Sequence, residues 1–67
     1  MKNKIRELRE RRDLSQDEVA KILGVSRTAV VKWETGVNRP RLGRIMEMAK
    51  LFRCTVDDLV GFKSKKK

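Results

Sequence analysis

The chain has 67 residues, with 18 Lys or Arg against 9 Asp or Glu, no His, a single Cys and a formal net charge of +9. That length supports one domain with a small core. The missing His removes the commonest general base and metal ligand, and Cys54 alone can neither staple a fold nor build a tetrahedral zinc site. These exclusions argue against an enzyme and leave no metal or cofactor expected, while the charge points to a polyanionic partner. No apolar run approaches the length of a membrane span or a signal-peptide core, so no membrane contact and a cytoplasmic location are expected.

The basic residues cluster. The last five residues, Lys63 to Lys67, contain four lysines and no apolar side chain. Such a segment has nothing to bury and reads as a disordered tail beyond a folded domain spanning 1–62. Two internal blocks are basic as well: Met1 to Arg12 holds six cations against two carboxylates, and Arg27 to Arg44 holds five against Glu34 alone.

In chain order the pattern predicts helices only. Lys2 to Arg12 places Ile5 and Leu8 on one face of a first helix. Asp13 closes it, because Asp tolerates the left-handed backbone better than most residues other than Gly. Ser15-Gln16-Asp17-Glu18 has the spacing of a capping box, with acidic residues suited to the positive end of the helix dipole. Val19, Ala20 and Leu23 form the buried stripe of a short second helix that Gly24 stops. Ser26 caps a third helix from Arg27 to about Thr35, which Gly36 ends.

After the loop at Val37-Asn38-Arg39-Pro40, a fourth helix runs from about Arg41 to Phe52 with Leu42, Ile45, Met48, Ala49 and Phe52 on one face. Gly43 inside it costs about 1 kcal/mol against Ala. Thr55-Val56-Asp57-Asp58 opens a last turn or two through Val60. No strand alternation or internal repeat interrupts this reading. The expectation is an all-α fold of five short helices.

The junction of the second and third helices is the informative unit. A turn as short as Gly24-Val25-Ser26 suits two short helices crossing steeply, with Val25 plugging the corner. Wound at about 100° per residue, the third helix collects Arg27, Thr28, Val31, Lys32 and Thr35 on one face. Ala29, Val30, Trp33 and Glu34 fall on the other. Arg reads guanine edges bidentately, Lys reaches guanine acceptors or phosphate, and Thr and Val offer hydroxyl or methyl contact to bases. Trp33 opposes these cations, which makes it core rather than a stacking platform.

The stretch from Leu14 to Arg27, LSQDEVAKILGVSR, resembles the helix-turn-helix of the Cro and phage-repressor (XRE) family of bacterial regulators. Val30 to Gly36, Arg39-Pro40 and Thr55 to Leu59 continue the match in register. The resemblance implies a compact five-helix, lambda-repressor-like DNA-binding domain that acts as a homodimer on a palindromic operator in double-stranded DNA. By that resemblance Arg27, Thr28, Val31 and Lys32 are the base-reading set. Gln16, Ser26, Arg39, Arg41 and Lys4 are candidates for the DNA backbone or minor groove. Asp13 and Arg53 depart from the family by standing where it places Gly or another residue suited to a left-handed backbone. Gly43 replaces a better helix former, and Val31 is apolar where the family is commonly polar.

Arg9 and Glu34 are expected to pair, because each lies on the inward side of its helix and an unpaired charge there carries a desolvation cost. The competing arrangement bonds Arg9 to Asp13 along its own helix. Cys54 reads as a small core hydrophobe. Val60 and Phe62 are the candidates for a dimer interface, with Ile22 and Met46 as other spare apolar residues. The functional expectation is a transcriptional repressor that occupies a promoter, with no room in the chain for a separate effector domain. The alternative is the antitoxin of a toxin–antitoxin pair, which binds both operator DNA and a protein toxin. A binder driven only by the lysine tail, or an interaction module without DNA binding, are further competitors.

Overall fold

Five helices form wherever the apolar stripe and the capping residues agree. The computed structural model describes residues 4–60, which fold as α1 (Ile5–Arg11), α2 (Gln16–Leu23), α3 (Arg27–Thr35), α4 (Leu42–Phe52) and α5 (Val56–Val60). The first residues assigned to helix one, Phe62 and the lysine tail lie outside the described residues. Among the described residues there is no strand, and no helix is long and apolar enough to cross a membrane.

The start of α2 is fixed by reciprocal hydrogen bonds. The Glu18 amide donates to Ser15 Oγ at 3.0 Å, and the Ser15 amide donates to Glu18 Oε1 at 2.7 Å. Both amides would otherwise be orphaned at a helix N-terminus. α3 repeats the device in simpler form, the Ala29 amide donating to Ser26 Oγ at 3.1 Å. At α5 the Asp58 amide donates to Thr55 Oγ1 at 3.0 Å, while Asp58 Oδ2 accepts from the Thr55 amide at 3.3 Å. α4 begins at Leu42 rather than Arg41. Arg41 takes the N-cap position in extended backbone, and its side chain makes no capping bond.

Three helices end in the same way, each with a left-handed residue and two backbone bonds folding over the last turn. At α2 that residue is Gly24, with the Val25 amide reaching Ala20 O at 2.9 Å. At α1 it is Asp13, φ 56°, with the Leu14 amide reaching Arg9 O at 3.3 Å. At α4 it is Arg53, φ 58°, with the Cys54 amide reaching Ala49 O at 2.9 Å. Asp13 and Arg53 thus carry the backbone strain that their departure from Gly implies.

The core is one cluster: Ile5 and Leu8 of α1, Val19, Ala20 and Leu23 of α2, Val30 and Trp33 of α3, Ile45, Met48 and Phe52 of α4, and Leu59 of α5. Each large side chain among them contributes about 1.5–3 kcal/mol through burial. Val25 packs against the cluster from the turn, as does Cys54 from the end of α4. Polar ties set the helix arrangement. The Lys4 amide donates to Leu59 O at 3.0 Å, joining the start of α1 to α5. Arg44 Nη1 donates to Leu23 O at 2.8 Å, capping the last turn of α2 from α4. α2 and α3 are held to one another through their turn with Val19, Val30 and Trp33 buried, which leaves the opposite side of α3 free.

Candidate nucleic-acid interface

The outward side of α3 carries Arg27, Thr28 and Lys32, all exposed, and Val31, half-buried between them. The inward side holds Val30 at 0% exposure and Trp33 at 7%. Trp33 is therefore core. Thr35 Oγ1 donates back to Val31 O at 3.0 Å, so its hydroxyl is engaged with its own helix.

Behind the exposed face lies a continuous polar network. Arg9 Nε donates to Glu34 Oε2 at 2.6 Å and Arg9 Nη2 to Glu34 Oε1 at 3.3 Å, a two-pronged contact. Arg9 Nη1 donates to Leu14 O at 2.7 Å, and not to Asp13. Both side chains are nearly sealed, at 8% and 3% exposure. Gln16, at the first position of α2, donates through Nε2 to Glu34 Oε1 at 3.0 Å. Its Oε1 accepts from Arg27 Nε and Nη2 at 3.4 and 3.3 Å.

The orientation of that amide is forced. A carboxylate only accepts and a guanidinium only donates, so the nitrogen of Gln16 must face Glu34 and its oxygen must face Arg27. The family resemblance assigns Gln16 a contact with phosphate and support of the reading helix. The structure shows it bonded on both sides within the protein, with one amide hydrogen left over for an outside acceptor. Asp17 Oδ1 lies 3.7 Å from Arg27 Nε, an exposed pair that contributes little to stability.

Beside this network a cavity of about 370 Å³ opens among Arg6, Arg9, Ser15, Gln16, Asp17 and Arg27. It sits at the N-terminus of α2, where Asp17 and the capping Glu18 already offset the positive end of the helix dipole. Ser26 spends its oxygen on the cap of α3 and keeps its hydroxyl proton. Arg39 and Arg41 are exposed on the segment between α3 and α4. Lys4 is not brought to this cavity and lines a separate one with Phe52 and Arg53.

Comparison with known proteins agrees with this geometry. Residues 5–59 match the helix-turn-helix family model. The chain belongs to the helix-turn-helix family. The helix-turn-helix domain is 39% identical over 58 residues to the transcriptional activator BcrR of Enterococcus faecalis, covering 87% of this chain and 28% of that protein. It is 38% identical over 59 residues to the phage CTXphi transcriptional repressor RstR of Vibrio cholerae, covering 88% and 53%. An HTH-type transcriptional regulator of Methanocaldococcus jannaschii is 37% identical over 59 residues, covering 88% and 89%. The chain thus spans about a quarter and about half of the first two relatives' lengths. A transcriptional regulator from Listeria innocua superposes with a TM-score of 0.79 at 20% identity, covering 100% of this chain and 66% of that one, a likeness of fold.

Membership makes the helix-turn-helix domain a DNA-binding module of transcription regulation rather than an enzyme. Among the described residues no group of His, Cys, Asp and Glu is placed to hold a metal ion. Cys54 is half-buried. Burial pushes its thiol above the ordinary value, Asp58 adds to that shift, and Arg12 opposes it. It stays protonated at neutral pH. Of the dimer candidates, Val60 is half-buried against the core and Phe62 lies outside the described residues, whereas Ile22 and Met46 are 57% and 54% exposed.

Sequence reading gave Gln16 a supporting role toward the third helix without naming Arg27 as its partner, and it did not find the Arg44 cap on α2. Both depend on how α2 is placed against α3 and α4. The only signal in the sequence was a bifunctional amide at the first position of one helix and a cation at the first position of the next.

Proposed function

We propose that this chain is a sequence-specific double-stranded DNA-binding repressor. A homodimer would place α3 of each copy in successive major grooves of an inverted-repeat operator. Arg27, Thr28 and Lys32 read base edges, and Val31 makes apolar contact with a thymine methyl. Gln16, Ser26, Arg39 and Arg41 fix the register on phosphates. Two copies on half-sites about one helical turn (roughly 34 Å) apart match the spacing that such motifs use.

The observation that carries the reading is the support under Arg27. A surface cation with no role in recognition needs no orienting partner. Arg27 meets an amide whose direction is dictated by a buried ion pair. That arrangement pre-positions a guanidinium for bidentate contact and lowers the ordering cost on binding. The repressor sense rests on simple occupancy of a promoter being sufficient for repression, since of the first two relatives RstR is a repressor and BcrR an activator by name.

The test is selection from random duplexes followed by stoichiometry. An enriched inverted repeat bound by two chains supports the reading. A featureless pool, or affinity that vanishes when Lys63 to Lys67 are deleted, overturns it.

A further inference from the structure

The basic block at the start of the chain, Met1 to Arg12, is only partly used by the α3 face. Arg9 is structural and Arg6 borders the cavity at α2. Lys4, Arg11 and Arg12 lie instead around a cavity of about 230 Å³ between α1, α4 and α5, together with Arg53. No residue of α2 or α3 lines it.

The charges there are unequal in their commitments. Two carboxylates line it as well: Glu7 Oε2 accepts from Arg11 Nη2 at 2.9 Å as an ion pair, whereas Asp58 Oδ2 accepts from the Thr55 amide at 3.3 Å and keeps its negative charge. Arg12 is pinned through Nε, which donates to Phe52 O at 3.1 Å and leaves its two terminal nitrogens open. Among the described residues no carboxylate lies within ion-pair distance of Lys4, Arg12 or Arg53. Three cations without an ion-pair partner therefore line one recess, opposed there only by the Asp58 carboxylate.

Arg53 adds an independent observation. It holds the left-handed position that ends α4, as Asp13 does after α1, where α2 and α3 use glycines. A side chain costs backbone strain at such a position, and strain of this kind collects where a side chain has a task. Here the strained backbone delivers a cation to the cavity wall. The volume lies below that of pockets for drug-sized ligands, and Leu8 and Phe52 expose almost nothing to it. The fit is to something small and anionic, held by the three cations in excess of Asp58's counter-charge.

We propose that Lys4, Arg12 and Arg53 form a binding site for a small polyvalent oxyanion of the diphosphate class, separate from the α3 face. Phosphate on a DNA backbone shares that chemistry, so the test must separate the two sources.

The experiment titrates inorganic pyrophosphate into the full chain at fixed ionic strength, by calorimetry and thermal melting. Arg53→Gly removes the cation and relieves the backbone, so the variant keeps its fold. Saturable binding of one pyrophosphate per chain is expected, with affinity falling at least tenfold in Arg53→Gly and unchanged in Arg27→Ala. Duplex DNA affinity should be the same in Arg53→Gly as in the parent chain. A smaller loss in Arg53→Gly, loss in Arg27→Ala, or non-saturable uptake overturns the site. A tenfold fall in duplex affinity in Arg53→Gly reassigns the cavity to the DNA backbone and overturns the small-anion ligand.

Discussion

Arg9 and Glu34 stand 25 residues apart in sequence and meet at 2.6 Å, with side chains only 8% and 3% exposed. Every buried polar side-chain atom among the described residues has a hydrogen-bond partner. Two charges so sealed gain from one another roughly what their desolvation costs, so the pair is not itself a large net stabiliser. Removing one member is a different matter. Glu34→Ala should destabilise the domain by about 3–5 kcal/mol, because the Arg9 guanidinium stays buried without its counter-charge. Replacing both with apolar residues should cost far less. Denaturant melts of the single and double variants check this, and an unperturbed Glu34→Ala would refute it.

How much was legible in advance follows from the range of each interaction. The caps at Ser15, Ser26 and Thr55 are local, and each partner lies three residues away. The glycine stops at Gly24 and Gly36 are local too, and so is the apolar stripe of α4 from Ile45 to Phe52, although Leu42, read onto the same face, is 65% exposed in the first turn. Inward position and opposite sign were enough to nominate Arg9 and Glu34 for one another. What could not be read was anything that needs three helices placed at once. Gln16 has both its partners on α3, and one of them, Glu34, is held in place by Arg9 of α1. Lys4 and Arg53 share a cavity only because α5 folds back between them, and the Lys4 amide bonded to Leu59 O is the sign of it.

Gly43 is a stability reserve. It lies in the first turn of α4, and a methyl group added there meets no atom within 4 Å. Gly43→Ala restricts the unfolded chain without introducing a clash. A gain of about 0.5–1 kcal/mol is expected, seen as a rise in melting temperature of several degrees for a domain of this size. An unchanged or lower Tm would show that the first turn of α4 needs its glycine.

Cys54 should be a slow thiol. Burial and Asp58 raise its pKa, so the reactive thiolate is scarcer at neutral pH than in an unperturbed cysteine. Alkylation should therefore lag a free cysteine at pH 7 and catch up as pH rises. Asp58→Asn keeps an acceptor for the Thr55 amide and removes the charge, and should speed the reaction. Iodoacetamide kinetics across pH decide the point, and a rate equal to that of free cysteine at pH 7 would contradict it.

Arg41 and Arg27 should separate in their effects on DNA. Arg41 occupies an exposed N-cap position with no capping bond of its own, free to meet a phosphate. Arg41→Ala should weaken all duplexes alike and reduce the salt slope by about one. Binding isotherms on selected and scrambled duplexes at several salt concentrations check this. A loss confined to the selected sequence would move Arg41 into base reading.

The Gln16–Arg27 contact makes the sharpest prediction about recognition. Arg27→Ala should lose about 1–3 kcal/mol at one base pair and relax preference there. Gln16→Ala leaves Arg27 in place but removes the acceptor at 3.3–3.4 Å that directs its guanidinium. If Gln16 only touches phosphate, the variant weakens every duplex equally. If it orients Arg27, discrimination falls at the same base pair that Arg27 reads, and the double variant loses no further discrimination. Gln16→Glu is the companion test. It puts a carboxylate against Glu34 Oε1, where Gln16 now donates at 3.0 Å, so it should cost stability as well as specificity. A double-mutant cycle on single-base variants of the selected site measures the coupling, and strict additivity of Gln16→Ala and Arg27→Ala would remove the positioning role.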